Sequence, residues 1–75
     1  MTRKDPGAIE FKKVTCSSEK NWRSEAEQLA AAGVAFILVG VNFAKDAQFF
    51  KTLSERWGLH TRSEPNRRRA YFWKA

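Results

Sequence analysis

The residues of this chain best suited to chemistry gather near its C-terminal end, where Arg62, Arg67, Arg68, Arg69 and Lys74 surround Tyr71 and Trp73. Guanidinium forks bind phosphate oxygens bidentately and stack on flat rings, and aromatic side chains accept unpaired bases at ~1–3 kcal/mol each. Basic groups interleaved with aromatic ones therefore suit a nucleic-acid strand. A plainer alternative is that Arg69, Tyr71 and Trp73 cover one side of a sheet or an interface, with the arginines as a solvated rim. Lys45 and Lys51 are peripheral additions to the same basic set.

Charge supports this focus. The chain carries a net charge of +6, and residues 1–37 contribute only +1 of it against +5 from residues 38–75. A sequence pI near 10.0 favours polyanionic partners.

Other constellations are weaker. Gly40-Val41-Asn42 leads into an apolar-periodic segment, so an anion could meet a helix N-terminus there, assisted by Lys45. No glycine-rich nucleotide-binding loop is present, and Gly40 reads as a packing or bend residue. Cys16 and His60 would be the one nucleophile and base pairing, but they lie far apart in sequence without a flanking signature. Cys16 reads as an inert buried thiol, and His60 as an exposed or hairpin-facing residue. The serines are explained as caps, helix surface and turn flank; Glu25, Glu27, Asp46 and Glu55 are explained as helix-surface charges. No acid, base and nucleophile assemble, so a non-enzymatic protein is expected, without cofactor or metal.

These residues need elements to hold them. Length allows one domain, and ten aromatic residues supply enough apolar area to offset ordering entropy. The polar run 1–7, ending in Pro6-Gly7, reads as a flexible tail before a single compact domain over 8–75. From Ile9 to Cys16 alternation begins with Ile9 and Phe11 on one side and then changes phase to Val14 and Cys16, which suggests a strand with a bulge or early end near Lys13. Ser17 or Ser18 as N-cap and Gly33 as stop bracket a helix of about fifteen residues, with Trp22, Ala26, Leu29 and Ala30 on its apolar face.

Val34 to Val41 is continuously apolar, as expected of a strand buried on both faces. A second helix runs from an Asn42 cap to Gly58, with Phe43, Ala47, Phe50, Leu53 and Trp57 as its stripe and Phe49 at the margin. Residues 59–63, a Glu64-Pro65-Asn66-Arg67 turn and residues 68–74 form a β-hairpin. On its last strand Ala70 and Phe72 share one face; Arg69, Tyr71 and Trp73 share the other. If that strand lies at an edge, the second face is solvent, ligand or partner. The fold class is thus α/β (α+β): a two-layer β-α-β-α-β-β sandwich with two helices on one face of a small mixed sheet.

The helix from Asp46 to Trp57, its ending Leu53-Ser-Glu-Arg-Trp-Gly-Leu59, the nearby Ser63 and the strand Arg68-Arg-Ala-Tyr-Phe-Trp-Lys74 resemble the second half of an R3H domain. That family is a small α/β module that binds single-stranded nucleic acid. Where the family carries its arginine and histidine, this chain has Ala47 and Lys51, so the resemblance implies phosphate contact for Lys51 and the hairpin arginines alone.

The expected function is single-strand DNA or RNA binding through the C-terminal hairpin. The alternative is a small basic interaction or inhibitor module that docks on an acidic patch of a partner protein. No apolar run is long enough to span a bilayer, and residues 1–7 lead into no leader-like segment, so a cytoplasmic protein is expected. A chain this short hides only about 60% of its surface on folding, which makes a second copy a further candidate partner.

Overall fold

In a computed structural model, residues 10–17, 19 and 21–74 are described. The tail 1–7, Ile9 and Ser18 lie outside them. The elements run β1 (Lys12–Thr15), α1 (Trp22–Ala31), β2 (Phe36–Val39), α2 (Phe43–Trp57), β3 (Leu59–Glu64), a 3-10 turn (Pro65–Arg67) and β4 (Arg69–Lys74). One four-stranded mixed sheet has the order β1-β2-β4-β3, and with the two helices it makes a small two-layer α+β domain. β1 and β2 are parallel with Lys12 opposite Phe36; β4 is antiparallel to both neighbours, with Phe72 opposite Phe36 and Thr61.

The two helices cover one face. Val14, Phe36, Leu38, Leu59, Ala70 and Phe72 from the sheet meet Trp22, Ala26 and Ala30 of α1 and Phe50 and Leu53 of α2. Phe36 and Phe72 stack at 5.1 Å, and Phe50 closes over Phe72 at 5.7 Å. Ala26 and Ala30 carry only a methyl group, so the α1 backbone settles close to the strands.

Local chemistry explains the ends of α2. The Asn42 side chain accepts the Lys45 N–H at 3.1 Å, and Gly58 takes φ +65 so that Leu59 can turn back into the core. At the end of α1, Gly33 adopts φ +76; its N–H reaches the Ala30 carbonyl and the Val34 N–H reaches Leu29, the paired bonds of a Schellman motif.

Several sequence expectations are corrected. α1 begins at Trp22, not beside Ser17, because Cys16 still donates to the Val39 carbonyl at 2.8 Å and the chain must then climb from the sheet to the helix layer. Ser17 instead accepts the Glu19 N–H in a local turn, and Asn21 precedes the helix without a side-chain cap.

β1 has unbroken register and no bulge. Its apparent phase change arises because Phe11 belongs to the outer face while Val14 and Cys16 face the helices. β2 is central, yet Ile37 and Val39 are only half-buried, since both helices lie on the other side. β4 is central as well, and β1 and β3 are the edges.

In α2 the inward series is Asp46, Phe50 and Leu53, so Ala47 is exposed and Asp46, at 5% exposure, is no surface charge. Arg23 on α1 neutralises it through a salt bridge. Phe49 packs edge-on against Trp22 at 5.6 Å, at the rim of the core.

Candidate nucleic-acid interface

Alternation along β4 decides what the outer face displays. Ala70 and Phe72 point to the helices, so Arg69, Tyr71 and Trp73 must point away, where no helix among the described residues covers them. Because β4 is central, each has neighbours on both sides. Tyr71 lies between Ile37 and Arg62, Arg69 lies between Val39 and Glu64, and Trp73 lies opposite His60 with ring centroids 5.7 Å apart.

Phe11 completes the aromatic group. Just before β1, its ring stands nearly perpendicular to Tyr71 at 5.4 Å and to Trp73 at 6.1 Å. A cavity of about 150 Å³ opens here, lined by Phe11, Arg62, Glu64, Tyr71 and Trp73. The Tyr71 hydroxyl donates to Glu64 Oε1 at 3.2 Å, which holds the carboxylate at the cavity wall. Phe11 and Glu64 were absent from the sequence-derived site. The parity of Phe11, opposite to that of Val14, is the sequence signal for one of them, whereas Glu64 reads in sequence as a turn residue.

The basic residues divide by task. Arg62 lies on β3 within the outer face, and Arg69 lies on β4 in the same face. Arg67 is exposed in the 3-10 turn at one end of the hairpin, and Lys74 is exposed at the other, opposite Leu59. Arg68 does structural work. It takes φ +54, its carbonyl accepts the Gly40 and Val41 N–H groups at 2.8 and 3.0 Å, and its Nε donates to the Val41 carbonyl at 3.1 Å. Those bonds tie the hairpin turn to the β2–α2 connection and offset a left-handed backbone that costs on the order of 1 kcal/mol for a residue with a Cβ.

Lys45 and Lys51 are exposed on α2, in the layer behind the sheet, and so do not join the aromatic face. Lys45 borders a second cavity, of about 180 Å³, with Cys16, Arg23, Asn42 and Asp46. The anion expected at this helix N-terminus is already supplied by the chain itself: the Asp46 carboxylate sits in the first turn and is paired with Arg23.

Cys16 and His60 are not brought together. Cys16 follows β1 at one edge of the sheet, while His60 is on β3 at the other. Burial, with the negative charge of Asp46 adding to it, pushes the Cys16 thiol up to about 11 from 9.0. The protonated thiol is therefore the native form at neutral pH, and alkylation by iodoacetamide at neutral pH should be much slower in the folded protein than in denaturant. Because the folded value lies above the unfolded one, this group's contribution to stability is intact below pH 9.0 and is lost as pH rises towards 11. Equal alkylation rates in the two states would disprove the thiol's protection.

Among the described residues no group of three His, Cys, Asp or Glu could hold a metal ion, and no helix is long and apolar enough to cross a membrane. No protein-family model, curated protein or solved structure matches this chain, so its residues and their geometry carry the functional reading.

Proposed function

We propose that this chain is a non-enzymatic nucleic-acid-binding module that takes an unpaired DNA or RNA strand across the outer face of its sheet. The observation that carries the reading is the grouping of Phe11, Tyr71 and Trp73 with Arg62 and Arg69 on the face left open by both helices. Small sheets bind single strands in this way, with aromatic side chains of central strands accepting base faces and arginines accepting phosphates. A duplex hides its base faces in the stack, so the rings favour unpaired nucleotides.

β4 extends about 20 Å over its six residues, enough for a few nucleotides. Arg67 and Lys74 then meet the backbone at the two ends of the hairpin. Lys51 contacts phosphate only where the strand continues round the β3 edge beneath α2. A reducing, cytoplasmic setting suits the lone thiol, which has no disulfide partner in the chain.

Titration of labelled single-stranded DNA, single-stranded RNA and duplex DNA of equal length, with anisotropy and tryptophan emission read together, tests the proposal. Single strands should bind with tryptophan quenching, and the duplex more weakly. With about four phosphates neutralised by Arg62, Arg67, Arg69 and Lys74, log K should fall against log salt with a slope of about −3. Replacing Arg62 and Arg69 by Ala should make that slope shallower by about 1.4, with little change in unfolding temperature. Arg68 is unsuited to this comparison because its removal frees the Val41 carbonyl. Absence of binding to all three nucleic acids would turn the face into a docking surface for an acidic protein patch.

A further inference from the structure

We infer that the cavity beside Tyr71 is a guanine-selective subsite for one base of the bound strand, read by Glu64 and Arg62. The inference rests on the single-strand reading and adds a base preference to it.

Glu64 is the one carboxylate between Leu59 and Lys74, in a segment otherwise rich in cations. On a surface that only collected phosphates, an acid among these cations would oppose binding. Facing hydrogen-bond donors, it would assist. The Tyr71 hydroxyl engages Oε1, which leaves acceptor capacity on the carboxylate, and Glu64 forms no salt bridge among the described residues. Two residues earlier on the same strand, hence on the same face, Arg62 is exposed and makes no hydrogen bond or salt bridge among the described residues.

Both side chains line the cavity with three aromatic rings. Its volume of about 150 Å³ suits insertion of a single ring system rather than a large ligand. A base stacked there has one edge towards a carboxylate and another towards a guanidinium fork.

Guanine satisfies both. Its N1–H and N2 amino group are adjacent donors that a carboxylate accepts together, and its O6 and N7 are adjacent acceptors that an arginine fork reaches, so with guanine bound Arg62 serves the base in place of a phosphate. Adenine and cytosine each place a ring-nitrogen acceptor beside their amino group, which would face the carboxylate. Thymine and uracil flank their single N–H with two carbonyls. Only guanine offers Glu64 two adjacent donors; the other bases give it at most one, with an acceptor beside it.

The test uses thymidine octamers with a central guanine, adenine, cytosine or thymine, and the matching uridine octamers. The guanine octamers should bind about tenfold or more tightly than the all-pyrimidine ones. Inosine in place of guanine, which removes only the N2 amino group, should lose most of that preference with the protein unaltered. Glu64→Gln should lower the preference to within about threefold.

Comparable affinity for all four octamers would overturn guanine selection and leave strand binding intact. A guanine preference indifferent both to inosine and to Glu64→Gln would overturn the assignment to Glu64 and return that side chain to a hairpin role opposite Arg69. Failure of every octamer to bind would overturn both this inference and the functional reading beneath it.

Discussion

Phe72→Ala should remove a large part of the protein's stability. The side chain is fully buried on central strand β4, stacked on Phe36 at 5.1 Å and capped by Phe50 at 5.7 Å. Removing a phenyl ring from such a site costs ~3–5 kcal/mol, through lost transfer energy and the cavity left behind. A domain of this size has about 4–11 kcal/mol in total at ~0.05–0.15 kcal/mol per residue, so the loss is a large part of the whole. The unfolding temperature should fall by about 12 °C or more, given roughly 4–8 °C per kcal/mol in small domains. Phe72→Leu, which keeps most of the volume, should fall far less. A Phe72→Ala protein that melts within a few degrees of the parent would show that the Phe36–Phe72–Phe50 stack is not the centre of the core.

Trp73→Ala should weaken single-strand binding by roughly 5- to 100-fold and leave the fold in place. One stacked base is worth ~1–3 kcal/mol, and each ~1.4 kcal/mol is a factor of ten in affinity. Trp73 is half-buried on the outer face, where it touches Phe11 and His60 rather than the helices, so its truncation removes little from the core. Tyr71→Ala should act in the same direction, with an added effect from releasing Glu64.

Neither change alters a basic residue. The slope of log K against log salt should therefore stay near −3 while the intercept falls, the reverse of the arginine double replacement. Trp73→Phe should retain most of the affinity. If Trp73→Ala binds oligonucleotides as the parent does, at unchanged stability, the rings are not stacking on bases and the face belongs to a protein partner.

A third ring sharpens this comparison. Phe11 stands edge-on to both Tyr71 and Trp73, so an entering base must either pack beside it or displace it. Its location just before β1 lets it move without disturbing the β1–β2 register, which begins at Lys12.

Much of the architecture follows from short-range chemistry, and those parts were legible in the sequence. The Asn42 cap, the stripe of Phe50, Leu53 and Trp57, and the Gly58 stop delimit α2 because each acts through bonds and contacts within a turn or two. Pro65 pre-sets the turn, and the period of two on β4 separates Ala70 and Phe72 from Arg69, Tyr71 and Trp73 whatever lies around them. Net charge and its gathering towards the C-terminal half likewise required no coordinates.

Tertiary structure decided the rest. Periodicity divides a strand into two faces but does not say which strand will flank it, so the central position of β4 and the edge position of β3 come only from the pairing β1-β2-β4-β3. That pairing sets Arg62 and Glu64 beside Tyr71 and carries Phe11 into the same group. Asp46 reads as a surface acid in a helix seen alone, and only the approach of α1, which brings Arg23, makes its burial tolerable. Arg68 resembles its neighbours until the β2–α2 connection presents the Val41 carbonyl to it. For Asp46, Arg68 and Phe11 the partner lies more than twenty residues away in sequence, and no local rule of propensity or spacing encodes which distant residue will arrive.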